Sequence, residues 1–490
     1  MRKKTALTAL ILFFALILGA CSRGANTDVY PVQEGDYNQN IPYEQYIDAP
    51  PAPEQAVFDV RDYGAVAGAE TAVTQGLQDA IDACAAVGGG TVLLAGGEYH
   101  SGTIFLKSGV SLFIAADAEL VALRDFSAHD GAFIRAVNAE NITITGGGKI
   151  RGEGEYFVKT PDENPQLTPY AVSDVREMKK EYYARIRFGY SSRPDAMIWL
   201  RGCKKVDINN ICLRDSMHWT LKIDHCADAE INNLVIDNNR HVANTDGVDI
   251  VGSQNVNLFH AFISTADDGI VLKNPKDDTP QNVSNIHVWD CVVQCCTNAF
   301  KIGSETYGDI NNVLIEDIEA SLPGIYPGSV SGISIESMDG ACVSDITVRR
   351  FKMDGVTCPL FVRLGNRNRY HGKNAAGQIR NITVEDVTAK NAELPMIISG
   401  FDTLLTAAHR IENVTLRGFD VTYRDNNENI KLRFVVPESA KTYPENWRFK
   451  DVPAYGLYAR HVDGLTLKNV EVIPRSVNTR EQFVYEDVPD

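Results

Sequence analysis

The sequence predicts an all-β chain wound into a right-handed parallel β-helix, with one short helix capping its N-terminal end. Two observations carry this. From Ile198 onward, short strands with apolar side chains two residues apart recur with a period in the low-to-mid twenties. That is too short for a strand–helix–strand unit and suits one turn of a solenoid. Asp-Gly followed by an alternating apolar stretch also occurs twice, at Asp246-Gly247-Val248-Asp249-Ile250 and at Asp268-Gly269-Ile270-Val271-Leu272, 22 residues apart.

At the N-terminus, Arg2-Lys3-Lys4 precede an apolar run from Ala6 to Leu18, closed by Leu18-Gly19-Ala20-Cys21. A basic head, an apolar middle and small residues before a cut site make an export signal over residues 1–20. The Leu-Gly-Ala-Cys ending resembles a bacterial lipobox, which implies cleavage before Cys21 and a lipid on its sulfur. Residues 21–55, rich in Asn, Gln, Tyr and Pro, have no periodicity and are expected to form a flexible, poorly packed tether. The chain is therefore expected in the periplasm or on the cell surface, touching the membrane only through that lipid. Residues 56–490 are expected to form a single catalytic solenoid domain.

No internal apolar run is long enough to span a bilayer. The formal charge is −17, and no basic patch with interleaved aromatics exists, which speaks against a nucleic-acid partner. Cys21 aside, nine cysteines remain. No paired CxxC motif suggests zinc, and the odd number predicts no disulfide framework. Nothing in the sequence calls for a cofactor or sets an oligomeric state.

Within the domain, Thr74–Val87 is helical by spacing, with Leu77, Ile81 and Cys84 on one face, and Gly88-Gly89-Gly90 stops it. Such a helix covers the open end of a solenoid, whose unpaired strand edges would otherwise aggregate. Strands follow at Thr91–Leu94, Thr103–Phe105 and Ser111–Ile114. Two strand families then alternate. One includes Ile198–Leu200, Leu221–Ile223, Val248–Ile250, Ile270–Leu272, Phe300–Ile302 and Ile333–Ile335. The other begins at corners such as Asn255, Asn285, Asn312, Asn381 and Asn413, where Asn suits a turn or a stacked amide ladder. Long interruptions near 155–195, with a helical candidate over Val175–Phe188, and near 424–453 are expected to rise over one groove.

One turn apart, Asp246 and Asp268 would stack at about 4.8 Å, and Asp267 adds a third acid. Crowded carboxylates raise one another's pKa and need solvation, pairing, a metal or an acid/base task. An Asp-Gly turn ladder would use the same residues structurally.

Phe58-Asp59-Val60-Arg61-Asp62-Tyr63-Gly64-Ala65 resembles the entry strand of pectin-degrading β-helices, so the fold is similar to the pectin-lyase-like solenoids. Asn244-Thr245-Asp246 and Asp267-Asp268 resemble the first two signatures of glycoside hydrolase family 28, the polygalacturonases; Pro453–Val462 is similar to the C-terminal part of bacterial members. The resemblance covers roughly Ala56 to Pro474. It implies single-displacement hydrolysis of pectic polysaccharide with inversion, Asp267 as general acid, and Asp246 with Asp268 holding and deprotonating water. Inverting sites ordinarily separate acid and base by roughly 6.5–9.5 Å.

The sequence departs from the family twice. Thr297-Asn298-Ala299 stands where Gly-His-Gly is usual, and Ser334-Ile335-Glu336 where Arg-Ile-Lys binds a substrate carboxylate. Substrate contacts are therefore expected from Asn244, Asn298, Lys273, Lys301, Arg363 and His461, with Lys301 or Arg363 taking over the carboxylate; a salt bridge to Glu336 competes for Arg363. His218 beside Trp219 is a further pocket candidate. The lost signatures and the two insertions point to an exo-acting or oligosaccharide-directed enzyme. A uronate lyase, with a Lys or Arg base and often Ca²⁺, or a noncatalytic glycan-binding β-helix are the competing functions.

Overall fold

A computed structural model describes residues 41–48, 56–69, 71–158, 192–240, 242–279, 281–322, 329–369, 376–403, 407–424, 435–449 and 451–489. The export signal, Cys21, most of the tether and the helical candidate at Val175–Phe188 lie outside them.

The strands stack as the alternation predicts, into a right-handed parallel β-helix. The second strand family forms one long parallel sheet, in which Val256, Ile286, Val313, Ile346, Ile382, Val414 and Leu465 lie on successive rungs in register. The first family forms a second sheet, in which Leu221, Val248, Ile270, Phe300, Ile333 and Leu360 succeed one another. Apart from the partly buried Leu465 near the C-terminal end, these inward side chains are at most 2 % exposed. Each contributes roughly 1.5–3 kcal/mol by leaving water, and no single turn could bury them alone.

The expected amide ladder is present. Asn255, Asn285, Asn312, Asn381 and Asn413 all adopt left-handed φ of 53–56°, a region Asn tolerates better than most residues. Asn285 Nδ2 donates to Asn255 Oδ1 at 2.8 Å, and Asn312 Nδ2 to Asn285 Oδ1 at 2.6 Å. The capping helix spans Thr74–Ala86 and buries Leu77, Ala80, Ile81 and Cys84. A Cβ on Gly89 would meet Gly109 O at 2.4 Å, so this glycine lets the chain leave the helix and enter the first rungs. No disulfide joins any two of the nine described cysteines.

Residues 41–48 correct the expectation of a poorly packed tether. Outward-facing Cys212, Val235, Phe262 and Val292 stack on consecutive rungs of the long sheet. A short helix, Tyr43–Tyr46, lays Tyr46 over them, flanked by Ile41, Tyr43 and Ile47. Asp48 N–H donates to Asn210 Oδ1 at 2.7 Å, and Asn210 Nδ2 donates back to Asp48 O at 2.8 Å. Four apolar or aromatic residues in eight were the sequence signal for this clasp. The C-terminal part of the second insertion also packs: Val436, Phe449 and Val452 cover Cys358, Phe361, Ile397 and Tyr458 on the outer face of the second sheet.

Tyr46→Ala is expected to lower stability by about 0.5–3 kcal/mol, read by thermal or urea unfolding, with activity of the folded protein unchanged.

Candidate active site

The three acids lie at the entry to two neighbouring strands of the second sheet, Val248–Val251 and Ile270–Asn274. Gly247 N–H donates to Asp268 O at 2.9 Å and Gly269 N–H to Asn298 O at 2.8 Å, so Asp246, Asp268 and Asn298 occupy successive rungs. The glycines are required by close approach. A Cβ on Gly247 would sit 2.4 Å from Gly269 O, and one on Gly269 would sit 2.3 Å from Val293 Cγ1. Neither glycine has a left-handed φ, so these Asp-Gly pairs are not the tight turns that a turn ladder would need.

One carboxyl oxygen from each of Asp246, Asp267 and Asp268 lies within 4.8 Å of the others. The three differ in what holds them. Asp268 Oδ1 accepts hydrogen bonds from Thr297 Oγ1 at 2.6 Å, Asn298 Nδ2 at 2.7 Å and Asn298 N at 3.1 Å. Its Oδ2 lies 3.4 Å from Lys301 Nζ. Burial opposes its charge, but Lys301, Lys273 and these hydrogen bonds prevail and hold Asp268 below the ordinary aspartate range.

Asp267 has no cation bonded to it among the described residues. Asn244 Nδ2 reaches its Oδ2 at 3.3 Å, and the Asp268 N–H donates to its Oδ1 at 2.9 Å. Burial, reinforced by the charges of Asp246 and Asp268, pushes Asp267 up to about 8. One acid is thus set to keep its proton beside another set to lose it, which is the splitting that acid/base chemistry uses.

Asp246 is neutralised differently. Lys273 Nζ donates to Asp246 Oδ2 and to Asp249 Oδ1, each at 2.7 Å, with the ammonium 3.8 Å from the centroid of the Trp219 ring. Two buried carboxyls share one ammonium. Burial raises both carboxyls, the fully buried Asp249 more strongly, and the shared Lys273 ammonium opposes it in each. Sequence reasoning missed Asp249; its signal was an outward Asp between buried Val248 and Ile250.

The structure brings together only some of the expected substrate contacts. Asn244, at φ 58°, receives Arg193 Nη2 at 2.9 Å and turns its amide to Asp267, so it positions an acid. Asn298 binds Asp268, while its buried Oδ1 has no partner among the described residues. Lys273 is engaged with Asp246 and Asp249, and Lys301 lies between Asp268 and Glu445, 3.5 Å from Glu445 Oε1.

Arg363 is corrected outright. It is buried, donating to Ser399 Oγ and Gly400 O at 2.9 Å and to Glu438 O. No ion pair joins it to Glu336 among the described residues, although the two share a rung pair. Burial and the neighbouring Arg460 bring its pKa down to about 9. His461 is likewise held structurally, by Asp487 at 2.7 Å and Glu438 at 3.3 Å. In both cases Glu438, carried in by the 435–449 segment, adds to partners on the next rung, and strand spacing does not reveal it.

Three carboxyls this close could also bind a divalent cation. Here the ammoniums of Lys273 and Lys301 already face two of the three, so the site balances its charge with its own side chains.

The model of glycosyl hydrolases family 28 matches residues 84–436. An endo-polygalacturonase of Pectobacterium carotovorum subsp. carotovorum is 25% identical over 385 residues, covering 70% of this chain and 87% of that protein. An exo-poly-alpha-D-galacturonosidase of Dickeya chrysanthemi is 25% identical over 445 residues, covering 81% of this chain and 73% of that protein. Among solved structures, a family 28 exopolygalacturonase of Yersinia enterocolitica superposes with a TM-score of 0.65 at 19% identity, over 89% of this chain and 78% of that one.

Lys273→Met leaves two buried carboxyls without their cation. It is expected to destabilise the fold by about 3–5 kcal/mol in chemical denaturation. The loss should be smaller at low pH, where protonation relieves the repulsion between Asp246 and Asp249.

Proposed function

We propose a reaction course for this chain, which belongs to glycoside hydrolase family 28 and is a glycoside hydrolase. Its substrate is pectic polysaccharide or oligosaccharides derived from it. Protonated Asp267 gives its proton to the glycosidic oxygen as the bond to the anomeric carbon breaks. Asp246 and Asp268 hold a water and take its proton as its oxygen attacks that carbon. The single observation that supports these roles is the contrast between Asp267, without a cation and pushed up to about 8, and Asp268, held down by Lys301 and three donors. General acid/base assistance of this kind is typically worth about 10²–10⁴-fold.

The course is inverting on this proposal, as family resemblance implies. The gap of 4.8 Å or less between the nearest oxygens is shorter than the roughly 6.5–9.5 Å usual for inversion. Product stereochemistry is therefore a sharp test. The first product seen by NMR is expected to have the opposite anomeric configuration to the substrate; retention would make Asp246 or Asp268 a nucleophile instead.

Action on chain ends or short oligomers fits the segment 435–449, which folds over the outer face of the sheet and places Tyr443 and Glu445 at Lys301. Monosaccharide release without a rapid fall in the viscosity of polygalacturonate is expected. The lipobox supports an exported lipoprotein anchored through Cys21, and Cys21→Ala should release the protein from membranes in the absence of detergent.

Asp246→Asn, Asp267→Asn and Asp268→Asn should each lower kcat by about 10²-fold or more with little change in folding. Hydrolysis should fall as pH rises through about 8, because Asp267 must be protonated to act as the acid. A profile flat through that limb would remove Asp267 from the acid role.

A further inference from the structure

Two cysteines occupy the same corner on neighbouring rungs. Strand Ala196–Arg201 of the second sheet leads through Gly202 and Cys203 into Lys204–Arg214 of the long sheet. One rung on, Trp219–Asp224 leads through His225 and Cys226 into Ala227–Asp237. Arg201 pairs with Asp224 and Lys204 with Ala227, so Cys203 and Cys226 lie directly over one another. Ala227 N–H donates to Cys203 O at 2.9 Å and closes that register. A rung spacing of about 4.8 Å falls inside the roughly 4.4–6.8 Å between Cα atoms that a disulfide spans. No other two described cysteines share a register on neighbouring rungs. Cys212 stacks on Val235, Cys291 on Ala261 and Ile318, Cys295 on Thr265, Cys342 on Gln378 and Cys358 on Ser331.

The next rung shows what this corner asks of a side chain. There the same position holds Ser253, as the pairs Asp224 with Val251 and Ala227 with Gln254 establish. Ser253 Oγ accepts from Cys226 N–H at 2.9 Å and lies 2.9 Å from both Ile223 O and Val251 O. A hydroxyl thus ties the corner to two rungs. The thiols hold the backbone less well, because sulfur is a weak donor. Cys226 Sγ lies 3.2 Å from Leu200 O, and Cys203 Sγ lies 3.5 Å from Arg201 O. The two thiols also act on each other. Hydrogen bonding with Cys226 holds Cys203 below the ordinary thiol range despite burial, and the same contact, with burial, pushes Cys226 well above it. A thiol that loses its proton readily is the one that attacks sulfur.

We propose that Cys203 and Cys226 are a modification site, joined as a disulfide when the chain folds in an oxidising medium. One thiolate attacks a sulfur of a small oxidised disulfide, such as oxidised glutathione, and releases one thiol. The second thiolate then attacks the mixed disulfide, forming the Sγ–Sγ bond and releasing the other thiol. The chain gives up two electrons and two protons, and the oxidant takes them. Both cysteines are fully buried, so the bond closes during folding, before neighbouring rungs exclude the oxidant. An exported chain meets such oxidants. The bond fastens the rung of Trp219–Asp224, which pairs directly with the strand that follows Asp246, to the rung before it.

The test folds the full chain by dilution from urea into a mixture of oxidised and reduced glutathione, and in parallel into reductant alone. Remaining thiols are then blocked with iodoacetamide under denaturing conditions, and peptides are mapped by mass without reduction. Chain exported into a bacterial periplasm and blocked in the same way gives this map if dilution yields no folded protein. The oxidised chain is expected to show the Cys203 and Cys226 peptides joined, lighter by two hydrogens, and to unfold about 3 °C or more above the reduced chain. Serine already serves this corner on the next rung, so Cys203→Ser and Cys226→Ser should fold and should each abolish the difference between oxidised and reduced samples. Both cysteines alkylated in the oxidised chain overturns the proposal, as does either one joined to a different cysteine. A difference that persists in either variant overturns it too, and the wild-type map decides if neither variant folds.

Discussion

A parallel solenoid places residues of one register above one another at about 4.8 Å, and the active site lives under that constraint. In the core the rule is benign, because Val, Ile and Leu stacks gain by contact. On the outer face it brings acids onto acids. Four carboxyls, those of Asp246, Asp249, Asp268 and Glu445, share two ammoniums, Lys273 and Lys301. Asp267 and Glu336 have neither ammonium bonded to them among the described residues, and these are the two acids pushed up to about 8. The upward shift of Asp267 thus follows first from burial, and then from like-charged neighbours on a fixed lattice. A separate hydrogen-bond donor dedicated to Asp267 is not needed to explain it.

The fold was legible because its determinants are local. Alternation gave the strands, Asn at the corners gave the amide ladder, and the helix with its glycine stop gave the cap. Asp246, Asp267 and Asp268 were legible for a related reason: once the period is known, one turn of spacing stacks them. What stayed hidden depends on pairs distant in sequence. Asp249 meets Lys273 across 24 residues, and Lys301 meets Glu445 across 144. Periodicity identifies which residues face outward, but not which outward charges neutralise each other. The same limit explains Ile41–Asp48, whose polar neighbours suggested a loose tether while Tyr46 and its apolar flanks were matched to the bare column Cys212, Val235, Phe262 and Val292.

Columns alone also cannot make a site asymmetric; a group from outside the repeat must do it, and the 435–449 segment does. Arg363, Ser399 and Arg460 stack on consecutive rungs, the two guanidiniums separated by one small residue. Left exposed, this pair would have been a strong site for a sugar carboxylate. Instead Arg363 donates to Glu438 O, and Arg460 to Val436 O at 2.9 Å and Pro437 O at 3.2 Å, while Ser399 Oγ accepts from both. These two cations therefore fasten the segment that carries Glu445 to Lys301. Closing the groove and losing its basic character on that side are the same structural event. It follows that removing Arg363 or Arg460 would loosen the segment that carries Glu445 to Lys301.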